Sequence, residues 1–122
     1  MVRVLLVDDS IVQLQTREAV LRRAGFEVVS ITTAEEALNS LRVSRALPAR
    51  HFNVVITDHM MPEVTGLSFV QRLREADPDI PVVVITGMPE AEAEYRDLNI
   101  TFLKKPCPPE ELIRAITDLP RS

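Results

Sequence analysis

N-V-V-I-T-D at residues 53–58 and I-P-V-V-V-I-T at residues 80–86 decide the architecture. Each is a nearly unbroken apolar run rich in β-branched residues. A half-solvated strand would alternate apolar with polar, so unbroken runs predict central parallel strands covered by helices on both faces. Outward from these two, Val2 to Val7 and Phe26 to Thr32 read as further strands, and Thr101 to Lys104 as a weaker fifth. A helix-like segment follows each of them. Regular alternation of strand and helix predicts an α/β domain with right-handed crossovers.

The helix starts are legible from their caps. Ser10 with Gln13, and Thr33 with Glu36, fit the capping box, in which a hydroxyl and a side chain three residues later satisfy orphan backbone amides. The first helix should bury Ile11, Leu14, Leu21 and Ala24 and stop at Gly25, a good left-handed cap. A third helix is expected from about Thr65 and Gly66, past Leu67, Val70 and Leu73, to Asp77. The last begins after Pro108 and Pro109, with Glu110 and Glu111 where carboxylates suit the helix dipole, and its start lacks a capping side chain. Pro89 to Leu98 carries only a thin apolar stripe, Ala91, Tyr95 and Leu98, and predicts a short, loosely held fourth helix. Arg42 to Arg50 reads as a helix end and an exposed loop.

Composition excludes several function classes. The 122 residues are one domain's worth, with 46% hydrophobic and 26% charged residues, which rules out global disorder. A net charge of −4 without a dense basic block argues against direct nucleic-acid binding. One cysteine, Cys107, makes neither an intrachain disulfide nor a structural zinc site and suits a reducing compartment. No run approaches a membrane span and no signal peptide is visible, so the expectation is a cytoplasmic protein.

The chemistry gathers at the strand ends. The first strand runs into Asp8 and Asp9, the third into Asp58, the fourth into Thr86, and the fifth into Lys104 and Lys105. In an open parallel sheet all carboxyl ends lie along one edge, and ligands bind where the strand order reverses. Three carboxylates brought together repel one another, which raises a pKa or calls for a cation. Mg2+, which prefers oxygen ligands and retains waters, resolves that repulsion. A hydroxyl and an ammonium then remain for something anionic beside the metal, and phosphate is the natural candidate.

V-L-L-V-D-D-S at 4–10, V-V-I-T-D-H-M-M-P-E-V-T-G at 54–66, V-V-V-I-T-G at 82–87 and F-L-K-K-P at 102–106 together resemble the receiver domain of two-component response regulators, of the chemotaxis type. The resemblance spans essentially residues 1–122 as one receiver domain. It implies a doubly wound, flavodoxin-like, five-stranded parallel sheet of order 2-1-3-4-5 with five helices. It further implies that Asp58 is the phosphoacceptor and a metal ligand. Asp9 would bind Mg2+ directly, Asp8 through metal-bound water, and His59 through its backbone carbonyl. Thr86 and Lys105 would hold phosphoryl oxygens, Pro106 would follow a cis peptide bond, and Phe102 would be the aromatic switch that turns when Thr86 moves. Gly66 and Gly87 fall where the family uses small residues.

The implied partners are a sensor histidine kinase or histidine phosphotransfer protein upstream. Downstream would be a protein or a covalently linked effector domain, with self-association through the last two helices and fifth strand. An Mg2+-dependent aspartyl phosphatase is disfavoured because the position two residues after Asp58, where a general acid would stand, is Met60. A phosphorylation-independent module on the same fold would lack the acidic residues, and a flavin site would not have D-D-S-I-V-Q after its first strand. The side chains of His59 and His51 are expected at the surface. Met60 and Met88 are expected to border the path of an attacking water and to slow loss of phosphate. D-L-N-I-T at 97–101 replaces the Gly-Ala pair common in the family, and the span from Thr86 to Lys105 looks short.

Overall fold

The computed structural model describes residues 2–59 and 65–119. Five strands, β1 (Arg3–Val7), β2 (Glu27–Ile31), β3 (Val54–Asp58), β4 (Val82–Thr86) and β5 (Thr101–Lys104), form one parallel sheet in the order β2-β1-β3-β4-β5. Three crossovers carry α-helices, α1 (Ile11–Arg23), α2 (Ala34–Arg45) and α3 (Gly66–Ala76), the fourth crossover, Pro89–Tyr95, is a 3-10 helix, and α4 (Pro109–Thr117) follows β5; a short 3-10 turn, Pro48–Arg50, lies between α2 and β3. This is the expected flavodoxin-like topology.

Successive strand residues point to opposite faces, and the two cores divide accordingly. Leu5, Val7, Val55, Val82 and Val84 pack with α2, α3 and Tyr95, whereas Val4, Leu6, Val54, Ile56, Val83 and Ile85 pack with α1 and α4. Phe69 of α3 is fully enclosed and is the largest such side chain. Truncating a ring so placed costs about 3–5 kcal/mol.

Ser10, Thr33 and Thr65 cap their helices by accepting from Gln13, Glu36 and Ser68 N–H, and Pro108 provides no side-chain cap. Gly25 follows α1 at φ 95°, a conformation that suits a residue without Cβ. The apolar stripe of α1 is narrower than expected. Leu14 and Leu21 are buried, but Ile11 is 60% exposed and Ala24 is exposed, because one opens the helix at the sheet edge and the other closes it beyond the sheet.

The fourth crossover tightens to 3-10 geometry because few residues are available between β4 and β5. Ala91 and Tyr95 nonetheless anchor it in the core. Asn99, at φ 53°, takes a left-handed turn just before β5. Arg74 braces that turn: its guanidinium donates to the carbonyls of Leu98, Asn99, Ile80 and Asp77 at 2.8, 3.0, 2.6 and 3.3 Å. No helix among the described residues is long and apolar enough to cross a membrane.

Candidate functional site

Backbone hydrogen bonds continue the ladder past the strand ends and fix what stands at the carboxyl edge. Asp8 N–H donates to Ile31 O, His59 N–H to Ile85 O, and Lys105 N–H to Thr86 O, at 3.2, 3.1 and 2.8 Å. These bonds bring Asp8, Asp58, Thr86 and Lys105 to one crevice, as the topology requires. Asp8 is 0% exposed, Asp58 3% and Thr86 1%, while Asp9 is exposed at the rim.

The buried acids are held by cations. Lys105 Nζ lies 2.7 Å from Asp58 Oδ2, and the guanidinium of Arg17 on α1 lies 2.7 Å from Asp8 Oδ2. Asp8 Oδ1 accepts Ser10 N–H at 2.9 Å, turning the chain from β1 into α1. With its NH2 facing the acids, the Gln13 amide donates to Asp8 Oδ2 at 2.9 Å and to Asp58 Oδ2 at 3.3 Å. Burial raises the pKa of Asp8, the Ser10 N–H and Arg17 oppose the rise, and the neighbouring Asp58 and Asp9 add to it. The Thr86 hydroxyl accepts Met88 N–H at 3.0 Å, and its own proton is left to donate.

Among the described residues no three His, Cys, Asp or Glu side chains converge as a ready-made metal cage. Two buried carboxylates with a third at the rim nevertheless suit Mg2+, which binds through one or two carboxylates and keeps several waters. All the donors are oxygens, as a hard cation prefers.

The structure corrects the expectation for the His59 side chain. It is buried, and its Nδ1 is 2.6 Å from the Tyr95 hydroxyl, because the 3-10 segment folds across the end of β3. Glu94 stands 3.9 Å from its other nitrogen. The carbonyl of His59 accepts Gly66 N–H at 2.7 Å, leaving one lone pair for any further partner. Gly66 opens α3 so close to this turn that a Cβ there would lie 2.6 Å from Asp58 O and 2.8 Å from both His59 Cα and the Tyr95 hydroxyl. Among the described residues, a Cβ at Gly87 would meet only Lys105 Cβ, at 3.9 Å.

Phe102 is half-buried against the core, with its ring 6.0 Å from that of Tyr95, which in turn stands edge-on to His59 at 5.6 Å. His51 is exposed, as expected. Lys105–Pro106 is cis. Met88 is 40% exposed at the rim, and Met60 lies outside the described residues.

Arg17 and Gln13 escaped the sequence reading. The sequence pattern places Gln13 in the capping box, but Ser10 N–H bonds Asp8 instead, which frees the Gln13 amide for the acids. The signal for Arg17 is a charge lying between Leu14 and Leu21 on the stripe that faces the sheet.

The model of the response regulator receiver domain matches residues 4–117. The chain is 32% identical over 122 residues to a probable transcriptional regulator, ycf27, of Cyanophora paradoxa, covering 98% of this chain and 48% of that protein. It is 31% identical over 115 residues to the C4-dicarboxylate transport transcriptional regulatory protein DctD of Rhizobium meliloti, covering 92% of this chain and 24% of that one. The chain thus spans half or less of these two relatives. Among solved structures, chemotaxis protein CheY4 of Vibrio cholerae superposes with a TM-score of 0.84 at 34% identity, over 96% of this chain and 97% of that one.

Proposed function

The chain belongs to the response regulator receiver domain family, and from that premise we propose that it is a phosphorylation-controlled signalling receiver whose phosphoacceptor is Asp58. The observation that carries this reading is a buried aspartate at the end of a central strand, with an ammonium 2.7 Å from its carboxylate and a second buried aspartate beside it. Burial of this kind removes water competition from a nucleophile, and the adjacent cation offsets its charge.

A carboxylate oxygen of Asp58 attacks the phosphorus of a phosphohistidine on a sensor kinase or histidine phosphotransfer protein. An O–P bond forms as the N–P bond breaks, and the electron pair stays on the departing imidazole nitrogen, which takes up a proton. Lys105 and the Thr86 hydroxyl hold phosphoryl oxygens as charge develops on them. Receivers of this family generally bind Mg2+. Asp9 and Asp58 would hold the ion, Asp8 would act through bound water, and the second lone pair of the His59 carbonyl would complete the protein's share. When bound, the cation supplies charge neutralisation at the transferring phosphoryl group. Dephosphorylation returns the chain to rest by attack of water on the acyl phosphate, so the catalysis serves the chain's own modification rather than turnover of a substrate.

The output is a changed protein-binding surface. Movement of Thr86 toward the phosphoryl group makes room for Phe102 to turn and reshapes the face formed by the 3-10 segment, β5 and α4. A downstream protein, a linked effector domain or a second copy of the chain reads that face. The test is incubation with a small-molecule phosphodonor and Mg2+, followed by intact mass and mapping of the acid-labile adduct. The adduct should sit on Asp58 and be absent from Asp58→Asn. A normally phosphorylated Asp58→Asn would place the nucleophile elsewhere.

A further inference from the structure

The hydrogen-bonding capacity of Asp8 is almost wholly used by the chain itself. Oδ1 accepts Ser10 N–H, and Oδ2 accepts both the Arg17 guanidinium and the Gln13 amide. The Arg17–Asp8 pair is largely withdrawn from water: the Arg17 side chain is 14% exposed and that of Asp8 0%. Screening by salt is weak for charges so enclosed, and each counts for more than it would at the surface.

Among the described residues, Asp8, Asp9 and Asp58 bring three carboxylates to the pocket against the two cations Arg17 and Lys105. Lys105 belongs to the phosphoryl site, but Arg17 comes from α1 and pairs with the acid that does not accept the phosphoryl group. A guanidinium cannot ligate a metal, so its effect on an incoming cation is repulsion and competition for the Asp8 oxygen.

We propose that Arg17 is an internal counter-cation of the acid pocket, which holds Asp8 in the metal-free protein and weakens Mg2+ binding below what the carboxylates alone would give. The inference rests on the reading of this pocket as an Mg2+ site and deepens it. Arg17 is a positioning residue that sets how much Mg2+ the receiver needs, and it touches neither the phosphoryl group nor its donor. Gln13 bridges Asp8 and Asp58 through one amide, at 2.9 and 3.3 Å, and so contributes to the same wall of the pocket.

The experiment is a MgCl2 titration followed by the backbone amide signals of Asp8, Asp9, Asp58 and His59, together with the Mg2+-induced rise in melting temperature. Both are compared among wild type, Arg17→Met and Arg17→Lys. Methionine fills a half-apolar position without charge, and the same spectra report whether each variant is folded. Arg17→Met should bind Mg2+ roughly tenfold more tightly or better, and its melting temperature should rise further on adding Mg2+. Arg17→Lys, which keeps the charge, should stay close to wild type. Should methionine prevent folding, Arg17→Gln carries the same expectation. If wild type binds Mg2+ and the neutral variants bind it equally or more weakly, Arg17 merely orients Asp8 and the inference is wrong. If wild type shows no Mg2+-dependent change at all, the metal reading itself fails, and the inference falls with it.

Discussion

Gly66→Ala sets two familiar effects against each other at one site. Helix propensity favours alanine over glycine by about 0.8–1.0 kcal/mol in a helix interior, and by less at the first residue of α3, where Gly66 stands. Against this, the added Cβ would lie 2.6 Å from Asp58 O and 2.8 Å from His59 Cα, both backbone atoms that cannot swing aside. The third close atom, the Tyr95 hydroxyl at 2.8 Å, is tied to His59. Reaching ordinary contact would move α3 by roughly 0.6–0.8 Å, and overpacking of this order costs about 1–3 kcal/mol. The steric cost therefore wins, leaving a net destabilisation of roughly 1–2 kcal/mol, which for a chain of this size lowers the melting temperature by about 3–10 °C. Calorimetry and urea unfolding of Gly66→Ala measure it. Gly87→Ala, where the Cβ meets nothing closer than 3.9 Å among the described residues, is the control and should change stability by no more than about 0.5 kcal/mol. A Gly66→Ala protein as stable as wild type, or more so, would show that propensity prevails and that α3 does not close tightly on the end of β3.

Lys105→Ala should fold normally, since its side chain is 31% exposed and is not a packing group, yet respond poorly to phosphodonor; loss of the folded circular dichroism spectrum would assign Lys105 a structural role instead. Arg74→Met should lose about 2–4 kcal/mol in urea unfolding, because four backbone carbonyls lose a charged donor together, and a loss below about 1 kcal/mol would mean that water replaces the guanidinium without penalty. Burial raises the Cys107 thiol above its ordinary value, so alkylation at pH 8 should be slower than for a free thiol. The same shift contributes stability below the unfolded thiol pKa that is lost as pH rises through the folded value, and a variant Cys107→Ala should lack that part of the alkaline decline in melting temperature.

The sheet was legible because its central strands are buried on both faces, and burial writes itself into composition: 54–58 and 82–86 admit almost nothing polar until their last residues. Those polar ends then identified the site, since a parallel sheet gathers them at one edge. Caps were equally local and equally readable. The sequence did not reveal interactions that depend on how neighbouring elements cross. His59 reads as a polar residue leaving a strand, and only the 3-10 segment lying over it makes it a buried partner of Tyr95. Arg17 reads as one charge among several on α1, and its pairing with Asp8 depends on how that helix is rotated over β1. Ile11 failed for the complementary reason: helical spacing put it on the buried stripe, but the sheet ends before it can be covered.

Hydrogen–deuterium exchange with and without beryllofluoride and Mg2+ tests the central claim that occupancy at Asp58 switches a distant surface. A ligand moves such an equilibrium only by binding one conformation more tightly than the other, so the change must appear wherever the two conformations differ. Exchange should change across residues 86–106 and α4, and should remain unchanged in Asp58→Asn under the same conditions. Changes confined to the surroundings of Asp8, Asp9 and Asp58, with β5 and α4 unaffected, would contradict the account.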